Sequence, residues 1–195
     1  MEVAIHPPLL QAAAGKSLVV FDYDGTLAEL DVDWEGMRRD LREQALQFGF
    51  DSPFRPLWSE IARLRDERGI EAVRVLFPVV RRYEQPGVKR QLPRPEIVEY
   101  ARRTQQRGSG PDRPTLAVFS ANLHATVVEG VSALGLDPFG VVVGADDVDR
   151  WKPEADGLQL AMRLAGAGPS ETLFLGDSPG DREAAQAAGA HFLSV

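Results

Sequence analysis

Four short motifs of this chain place acidic, basic or hydroxyl side chains soon after runs of apolar residues. Their candidate site residues are Asp22 and Asp24 in DYDGT, Ser120 and Ala121 in VFSAN, Lys152 in RWKPE, and Asp177 and Asp181 in GDSPGD. Carboxylates brought together in this number repel one another unless a cation neutralises them. An all-oxygen set without histidine or cysteine suits Mg²⁺, which binds carboxylates, water and substrate phosphate. With one lysine and one hydroxyl group, the set predicts a magnesium site for phosphoryl transfer.

The apolar runs are typical of strands buried on both faces of a parallel sheet, because they are continuous rather than alternating. Five such runs occupy residues 17–21, 115–119, 140–143, 172–175 and 191–195. Between the later runs lie helical patterns at 122–135, 154–166 and 180–188. This alternation predicts an α/β fold with a doubly wound, parallel, five-stranded sheet. Ligands of such sheets bind at the carboxyl ends of the strands, where the first four runs all place polar residues.

A helical insertion separates the first two predicted strands. This part of the chain has no strand-like run, and its apolar residues recur at intervals of three or four, as on one face of a helix. We therefore predict a helical cap domain at 31–89 and an α/β core domain made of 1–30 and 90–195. The segment 86–96 is expected to lead back to the sheet, and the Gly- and Pro-rich segment 105–114 to be a loop.

In these motifs and in their order, the chain resembles the haloacid dehalogenase superfamily, in the phosphoglycolate phosphatase-like branch with a small helical cap. The resemblance covers residues 17–195 and is weakest in the cap. It implies that Asp22 is a nucleophile that attacks phosphorus to form an aspartyl-phosphate. Asp24 would protonate the leaving alkoxide and then activate the water that hydrolyses the intermediate.

The same resemblance implies roles for the remaining motif residues. The metal ligands it implies for Mg²⁺ are Asp22, the backbone carbonyl of Asp24, Asp177 and, directly or through water, Asp181. The phosphate-binding residues it implies are Ser120, Ala121, Lys152, Gly25 and Thr26. Lys152 would also hold Asp22 in place. Gly25 and Thr26 would shape a turn that lets the backbone approach the phosphate.

Each of these residues also has an ordinary structural explanation when it is taken alone. Ser120 could cap a helix, and Lys152 could be a surface residue before a proline at a helix start. Asp177 and Asp181 could be turn and cap residues. These explanations would have to hold independently at four strand ends in the family's order, so we favour the catalytic interpretation.

Other polar residues give weaker signals. We interpret Asp146 and Asp147 as structural loop residues and His124 as a surface residue of a helix. Four arginines of the cap either contact an anionic substrate or form a solvated helical face. They are Arg38, Arg39, Arg81 and Arg82.

The composition excludes several kinds of site and partner. A net charge of −7 disfavours a nucleic-acid surface, and the absence of cysteine excludes disulfides, thiolate zinc sites and a cysteine nucleophile. The N-terminal residues lack the basic region of a signal peptide, and no apolar run reaches the roughly 18 residues of a membrane span. We therefore expect a cytoplasmic protein without nucleic-acid or membrane partners. The sequence does not predict its oligomeric state.

The resulting functional prediction is a Mg²⁺-dependent phosphatase that acts on a small phosphorylated metabolite. Phosphoglycolate or a sugar phosphate is the first candidate, by family analogy. A phosphomutase of the same superfamily remains an alternative, as does a non-catalytic regulatory protein that keeps the fold, although no catalytic residue is missing. A dehalogenase is disfavoured, because that chemistry has no need of Asp24 for proton transfer or of Asp177 and Asp181 for a metal.

Overall fold

In the computed structural model, which describes residues 3–107, 110 and 113–195, a five-stranded parallel sheet forms the centre of the molecule. In chain order, the strands are β1 (Leu18–Phe21), β2 (Ala28–Glu29), β3 (Leu92–Pro93), β4 (Thr115–Phe119), β5 (Val141–Val143), β6 (Thr172–Gly176) and β7 (His191–Ser194). The strand order of the large sheet is β5-β4-β1-β6-β7, and all neighbouring pairs are parallel. The predicted α/β class and parallel five-stranded sheet are confirmed.

Helices cover both faces of this sheet. In chain order, they are α1 (Pro7–Ala13), α2 (Trp34–Leu46), α3 (Leu57–Arg68), α4 (Ile70–Arg74), α5 (Phe77–Lys89), α6 (Pro95–Gln106), α7 (His124–Ala133), α8 (Asp156–Ala165) and α9 (Pro179–Ala188). Leu158 of α8 and Ala184 of α9 share one buried apolar cluster with Val20 of β1. Val127 of α7 shares the opposite cluster with Phe21. Because both faces of the sheet are shielded from solvent, the strands appear in the sequence as continuous apolar runs.

Strand β1 occupies the middle of the sheet. All four of its residues are fully buried, and it pairs with β4 on one side and β6 on the other. Its last residue, Phe21, lies opposite Val118 and Leu175. Asp22 follows at once, so the first candidate carboxylate begins at the carboxyl edge of the most central strand.

Three features of the fold were not predicted from the sequence. Helices α1 and α6 pack on the core, and the two short strands β2 and β3 form an antiparallel ribbon. Strand β2 lies where the chain leaves the sheet for the inserted helices, and β3 lies where it returns, so the ribbon joins these two connections. Helix α6 ends at Gln106, and the predicted loop at 105–114 lies partly outside the described residues.

The inserted helices α2 to α5 all lie between residues 31 and 89, and the exact domain boundaries stay a prediction. Helix α5 continues through Pro86 to Lys89, whereas the sequence indicated a connection from residue 86 onward. Gly87 and Val88 are buried here, and a Cβ on Gly87 would lie 3.1 Å from the carbonyl oxygen of Asp31. A proline costs roughly 3 kcal/mol inside a helix, so local propensity does not favour this last turn, and tertiary packing must support it.

Within the described ranges, no helix combines the length and the apolar character that crossing a membrane requires.

Gly130 of α7 packs directly against Tyr23, since a Cβ at this position would lie 1.8 Å from the Tyr23 hydroxyl oxygen. Tyr23 is fully buried, so its ring cannot shift into solvent to make space for an added methyl group. We predict that Gly130→Ala lowers the free energy of unfolding by about 1–3 kcal/mol, although alanine normally favours a helix over glycine. Urea denaturation measures the change.

The matched control is Gly140→Ala, whose Cβ would meet Thr115 Cγ2 at an ordinary distance of 3.6 Å. Equal urea midpoints for the two variants would show that the contact with Tyr23 does not limit the size of the side chain at position 130.

Candidate active site

A cavity of about 310 Å³, here called the acidic cavity, lies at the carboxyl end of the sheet. The predicted site residues that line it are Asp22, Asp24, Ser120, Ala121, Lys152, Asp177 and Asp181. Helices α2, α3 and α5 add Trp34, Leu57, Trp58 and Glu84. Residues that follow β1, β4, β5 and β6 therefore meet at one edge, as the topology of a parallel sheet requires.

The ammonium group of Lys152 lies between two carboxylates. Its Nζ donates to Asp22 Oδ1 at 2.8 Å and lies 2.6 Å from Asp181 Oδ1. It also stands over the rings of Phe119 and Phe174, at 4.8 and 5.1 Å from their centroids. Burial opposes a charge on the amine, but the two carboxylates outweigh burial and raise the pKa of Lys152. The lysine is therefore a fixed cation at the base of the cavity.

Three carboxylates of the cavity lie close enough to share a metal ion. One oxygen each from Asp22, Asp177 and Asp181 lies within 4.8 Å of the others. Burial raises the pKa of Asp22; Lys152 opposes this rise, and repulsion from Asp181 adds to it. A divalent cation would relieve the repulsion, and carboxylate oxygens are the ligands that Mg²⁺ prefers.

Asp181 also caps the N-terminus of α9. Its Oδ2 accepts hydrogen bonds from the backbone N–H of Ser178 at 3.0 Å and from Ser178 Oγ at 2.6 Å, and Ser178 Oγ accepts from the Asp181 N–H at 3.2 Å. This is a reciprocal capping box. The cap thus uses Oδ2 of Asp181, whereas its Oδ1 lies against Lys152 Nζ.

Asp24 and Tyr23 leave the strand end in different directions. Asp24 lines the cavity, and its Oδ1 accepts from the backbone N–H of Leu30 at 2.8 Å. Burial raises the pKa of Asp24 to about 6; the hydrogen bond from Leu30 opposes the rise, and the charge of Asp177 adds to it. The Tyr23 hydroxyl instead donates to Gln91 Oε1 at 2.6 Å, which anchors the loop to the segment returning from α5.

Gly25 and Thr26 line a second cavity of about 450 Å³ instead. Gly25 has a φ of 93°, and a Cβ here would lie 2.5 Å from Asp177 Oδ2, so only glycine fits. Thr26 is fully buried, and its Oγ1 has no hydrogen-bond partner among the described residues. Neither residue is among those that line the acidic cavity, although Gly25 lies directly against Asp177, which does. Their role in shaping the phosphate-binding turn stays a prediction.

Sequence analysis missed Glu84, a buried carboxylate that α5 contributes to the cavity. Its Oε1 accepts from Asn122 Nδ2 at 2.9 Å, and its Oε2 accepts from the Leu123 N–H at 3.2 Å and Thr126 Oγ1 at 2.6 Å. Asn122 Oδ1 in turn accepts from Ser120 Oγ at 2.9 Å. Glu84 thus orients the amide beside a predicted phosphate-binding hydroxyl. No sequence signal distinguishes it from other acids on amphipathic helices, because its burial arises when α5 packs on α7.

The remaining acids singled out in the sequence stabilise the start of α7. Asp146 Oδ1 accepts from the His124 backbone N–H at 2.6 Å. Asp147 Oδ2 accepts from the Gly144 N–H at 2.8 Å and lies 2.6 Å from His124 Nδ1. Neither acid is among the described residues that line the acidic cavity.

The cap arginines form ion pairs with neighbouring acids. The pairs are Arg38 with Glu35, Arg39 and Arg82 with Asp40, and Arg81 with Glu129. Of the residues that the structure describes around the acidic cavity, none is one of these arginines.

The family model of haloacid dehalogenase-like hydrolases matches residues 19–195. The chain belongs to this family. Among the solved structures similar to this chain, CbbY from Rhodobacter sphaeroides in complex with phosphate has a TM-score of 0.62 and 25% identity, covering 92% of this chain and 85% of that one. A hydrolase from Pseudomonas syringae has a TM-score of 0.63 and 22% identity, covering 92% and 84%.

Relatives with established names match shorter parts of the chain. Pyrophosphatase PpaX from Listeria welshimeri is 36% identical over 70 residues, which are 35% of this chain and 32% of the relative. Phosphoglycolate phosphatase from Escherichia coli K12 is 49% identical over 51 residues, 26% of this chain and 20% of the relative. The chain thus matches about a third or less of the length of these relatives.

Burial raises the pKa of Glu84 from 4.5 to about 7, against the opposing hydrogen bonds from Thr126, Asn122 and Leu123. The folded protein therefore holds this proton more tightly than the unfolded chain, and stability falls as the pH rises between those two values. Relative to Glu84→Gln, we predict that the wild type loses on the order of 3 kcal/mol of unfolding free energy between pH 4 and pH 8.

Urea denaturation of both proteins across this pH range, in EDTA, measures the difference. Parallel pH profiles would contradict the raised pKa of Glu84, whatever constant offset the altered hydrogen bonds add between them.

Proposed function

We propose that the protein is a Mg²⁺-dependent phosphatase that hydrolyses a small-molecule phosphate monoester through an aspartyl-phosphate on Asp22. The position of Asp22 carries the proposal: a buried carboxylate at the end of the central strand, 2.8 Å from Lys152 Nζ and clustered with Asp177 and Asp181. Membership of a hydrolase family and relatives named as phosphatases support the same class of reaction.

In the first half-reaction, an oxygen of Asp22 attacks phosphorus and the ester P–O bond breaks. Asp24 gives its proton to the departing oxygen, so that the alcohol leaves uncharged. Lys152 keeps Asp22 in place and balances the negative charge on the phosphoryl oxygens. Ser120, whose hydroxyl is oriented by Asn122, supplies a neutral contact at the same edge.

In the second half-reaction, water attacks the phosphorus of the aspartyl-phosphate. Asp24 takes a proton from this water, and the bond between phosphorus and the Asp22 oxygen breaks. Inorganic phosphate leaves, and the carboxylate of Asp22 is restored.

The metal would be held by Asp22, Asp177 and the backbone carbonyl of Asp24, with Asp181 as a direct or water-mediated ligand. The cluster fits Mg²⁺, because it offers only oxygen donors and more negative charge than Lys152 balances. When bound, Mg²⁺ neutralises charge on the transferring phosphoryl oxygens.

We predict that Asp22→Asn lowers kcat for p-nitrophenyl phosphate by about a thousandfold or more, because an amide cannot form the acyl phosphate. EDTA should abolish the wild-type activity, and added Mg²⁺ should restore it. The control Asp137→Asn changes an exposed acid outside the acidic cavity and should keep the wild-type rate. Turnover that survives EDTA or the Asp22 substitution would overturn this mechanism.

Hydrolysis is separated from phosphomutase activity by the fate of the phosphoryl group. In ¹⁸O-labelled water, the proposed phosphatase should release inorganic phosphate from a sugar phosphate with label incorporated, because water attacks phosphorus in the second step. A mutase would yield an isomeric sugar phosphate without label. Mass spectrometry of the products distinguishes the two results.

A further inference from the structure

The cap side of the acidic cavity is apolar and aromatic. Trp34, Leu57 and Trp58 line it and are here called the aromatic wall. Trp58 packs on Trp151, with ring centroids 5.5 Å apart. Trp151 is itself buried, and its Nε1 donates to the carbonyl oxygen of Ala145 at 2.8 Å. The wall therefore rests on the residue that directly precedes Lys152 in the chain.

The cavity contains little positive charge for a second anionic group. Among the described residues that line it, Lys152 is the one cationic side chain, and its ammonium group faces Asp22 and Asp181. Arginines close in sequence to the cap residues of the cavity are paired with acids. The pairs are Arg38 and Arg55 with Glu35, and Arg81 with Glu129.

The cap contributes a carboxyl group, Glu84, to the cavity rather than a cation. This carboxyl is 2% exposed and accepts hydrogen bonds from Asn122, Leu123 and Thr126, so both of its oxygens have partners without a ligand. An anionic leaving group would therefore meet apolar rings and a carboxyl group rather than a cation.

We propose that the substrate's leaving group is uncharged and presents an aromatic face to Trp34 and Trp58. This inference rests on the proposed phosphatase function and concerns only the alcohol part of the monoester. A carboxylate or a second phosphate in that part would lose water without gaining an ionic partner. Aromatic rings, in contrast, pack favourably on one another in such a wall.

The proposed substrate class differs from the phosphoglycolate that family analogy suggests. In the reaction, the P–O bond to the aryl or arylmethyl alcohol breaks, and this alcohol leaves with the proton from Asp24. The phosphoryl group passes to Asp22 and then to water. The inference adds no co-reactant to this hydrolysis.

Benzyl phosphate and phosphoglycolate form a matched pair, because both join the phosphoryl group to a CH₂ that carries either a phenyl ring or a carboxylate. With Mg²⁺, we expect kcat/KM for benzyl phosphate to exceed that for phosphoglycolate by about tenfold or more. Pyrophosphate should be as poor a substrate as phosphoglycolate, because it too carries a charged leaving group.

The outcomes separate this inference from the proposed function. Preference for phosphoglycolate or pyrophosphate, or equal use of the matched pair, would overturn the inference and leave a phosphatase. Failure to hydrolyse p-nitrophenyl phosphate and every member of the panel would overturn the proposed function and the inference together.

Variants of the aromatic wall test its part in the selectivity. Trp34→Leu should lower kcat/KM for benzyl phosphate by about tenfold, mainly through KM, and lower kcat/KM for phosphoglycolate by a much smaller factor. Phe48→Leu changes a partly buried cap aromatic outside the cavity and should affect neither substrate. Trp34→Arg should narrow or reverse the preference, because it supplies the missing cation. Equal losses on both substrates in Trp34→Leu would overturn the role of the wall, and circular dichroism checks that each variant is folded.

Discussion

The ammonium group of Lys152 is the interaction on which the acidic site depends. The side chains of Lys152, Asp22 and Asp181 are 9%, 10% and 0% exposed, so three ionisable groups are withdrawn from water together. Two buried carboxylates without this cation would each face a penalty of several kcal/mol. The three residues come from the loop after β5, the end of β1 and the first turn of α9. One ion cluster therefore joins the central strand to elements more than a hundred residues away in sequence.

The cap contacts the core in two chemically different ways. Beside the cavity, α5 is tied to the start of α7 by polar groups, with Glu84 accepting from Thr126 and Arg81 donating to the same threonine hydroxyl at 3.2 Å. Within the cavity, the cap presents indole and leucine side chains beside the carboxyl group of Glu84. The polar contacts hold α5 against α7, and the apolar side chains are the part of the cap surface that they leave unused.

The parts of the fold that were predictable are those with a local physical signature. Continuous apolar runs marked the parallel strands, and polar residues at four strand ends marked the site edge, because the topology of such a sheet brings those ends together. The two-residue strands β2 and β3 carry no periodic pattern, so no local rule could find them. Glu84 resembles any helix-surface acid until packing buries it. Gly25 and Thr26 line the other cavity, and residue type alone does not encode which side of the turn after β1 they face.

The carboxylate of Asp181 illustrates how narrow the choice of residue is at this site. Its Oδ2 faces the N–H and hydroxyl of Ser178, and its Oδ1 faces the ammonium group of Lys152, so donors approach from both sides. Asparagine has the same shape but only one acceptor oxygen, and either orientation of its amide would turn an NH₂ group toward a donor. Glutamate would keep both acceptors and could still form a capping box, but the fully buried site has no free space for its extra methylene group. Helix capping, charge and packing therefore restrict this one side chain at the same time, before any chemistry is considered.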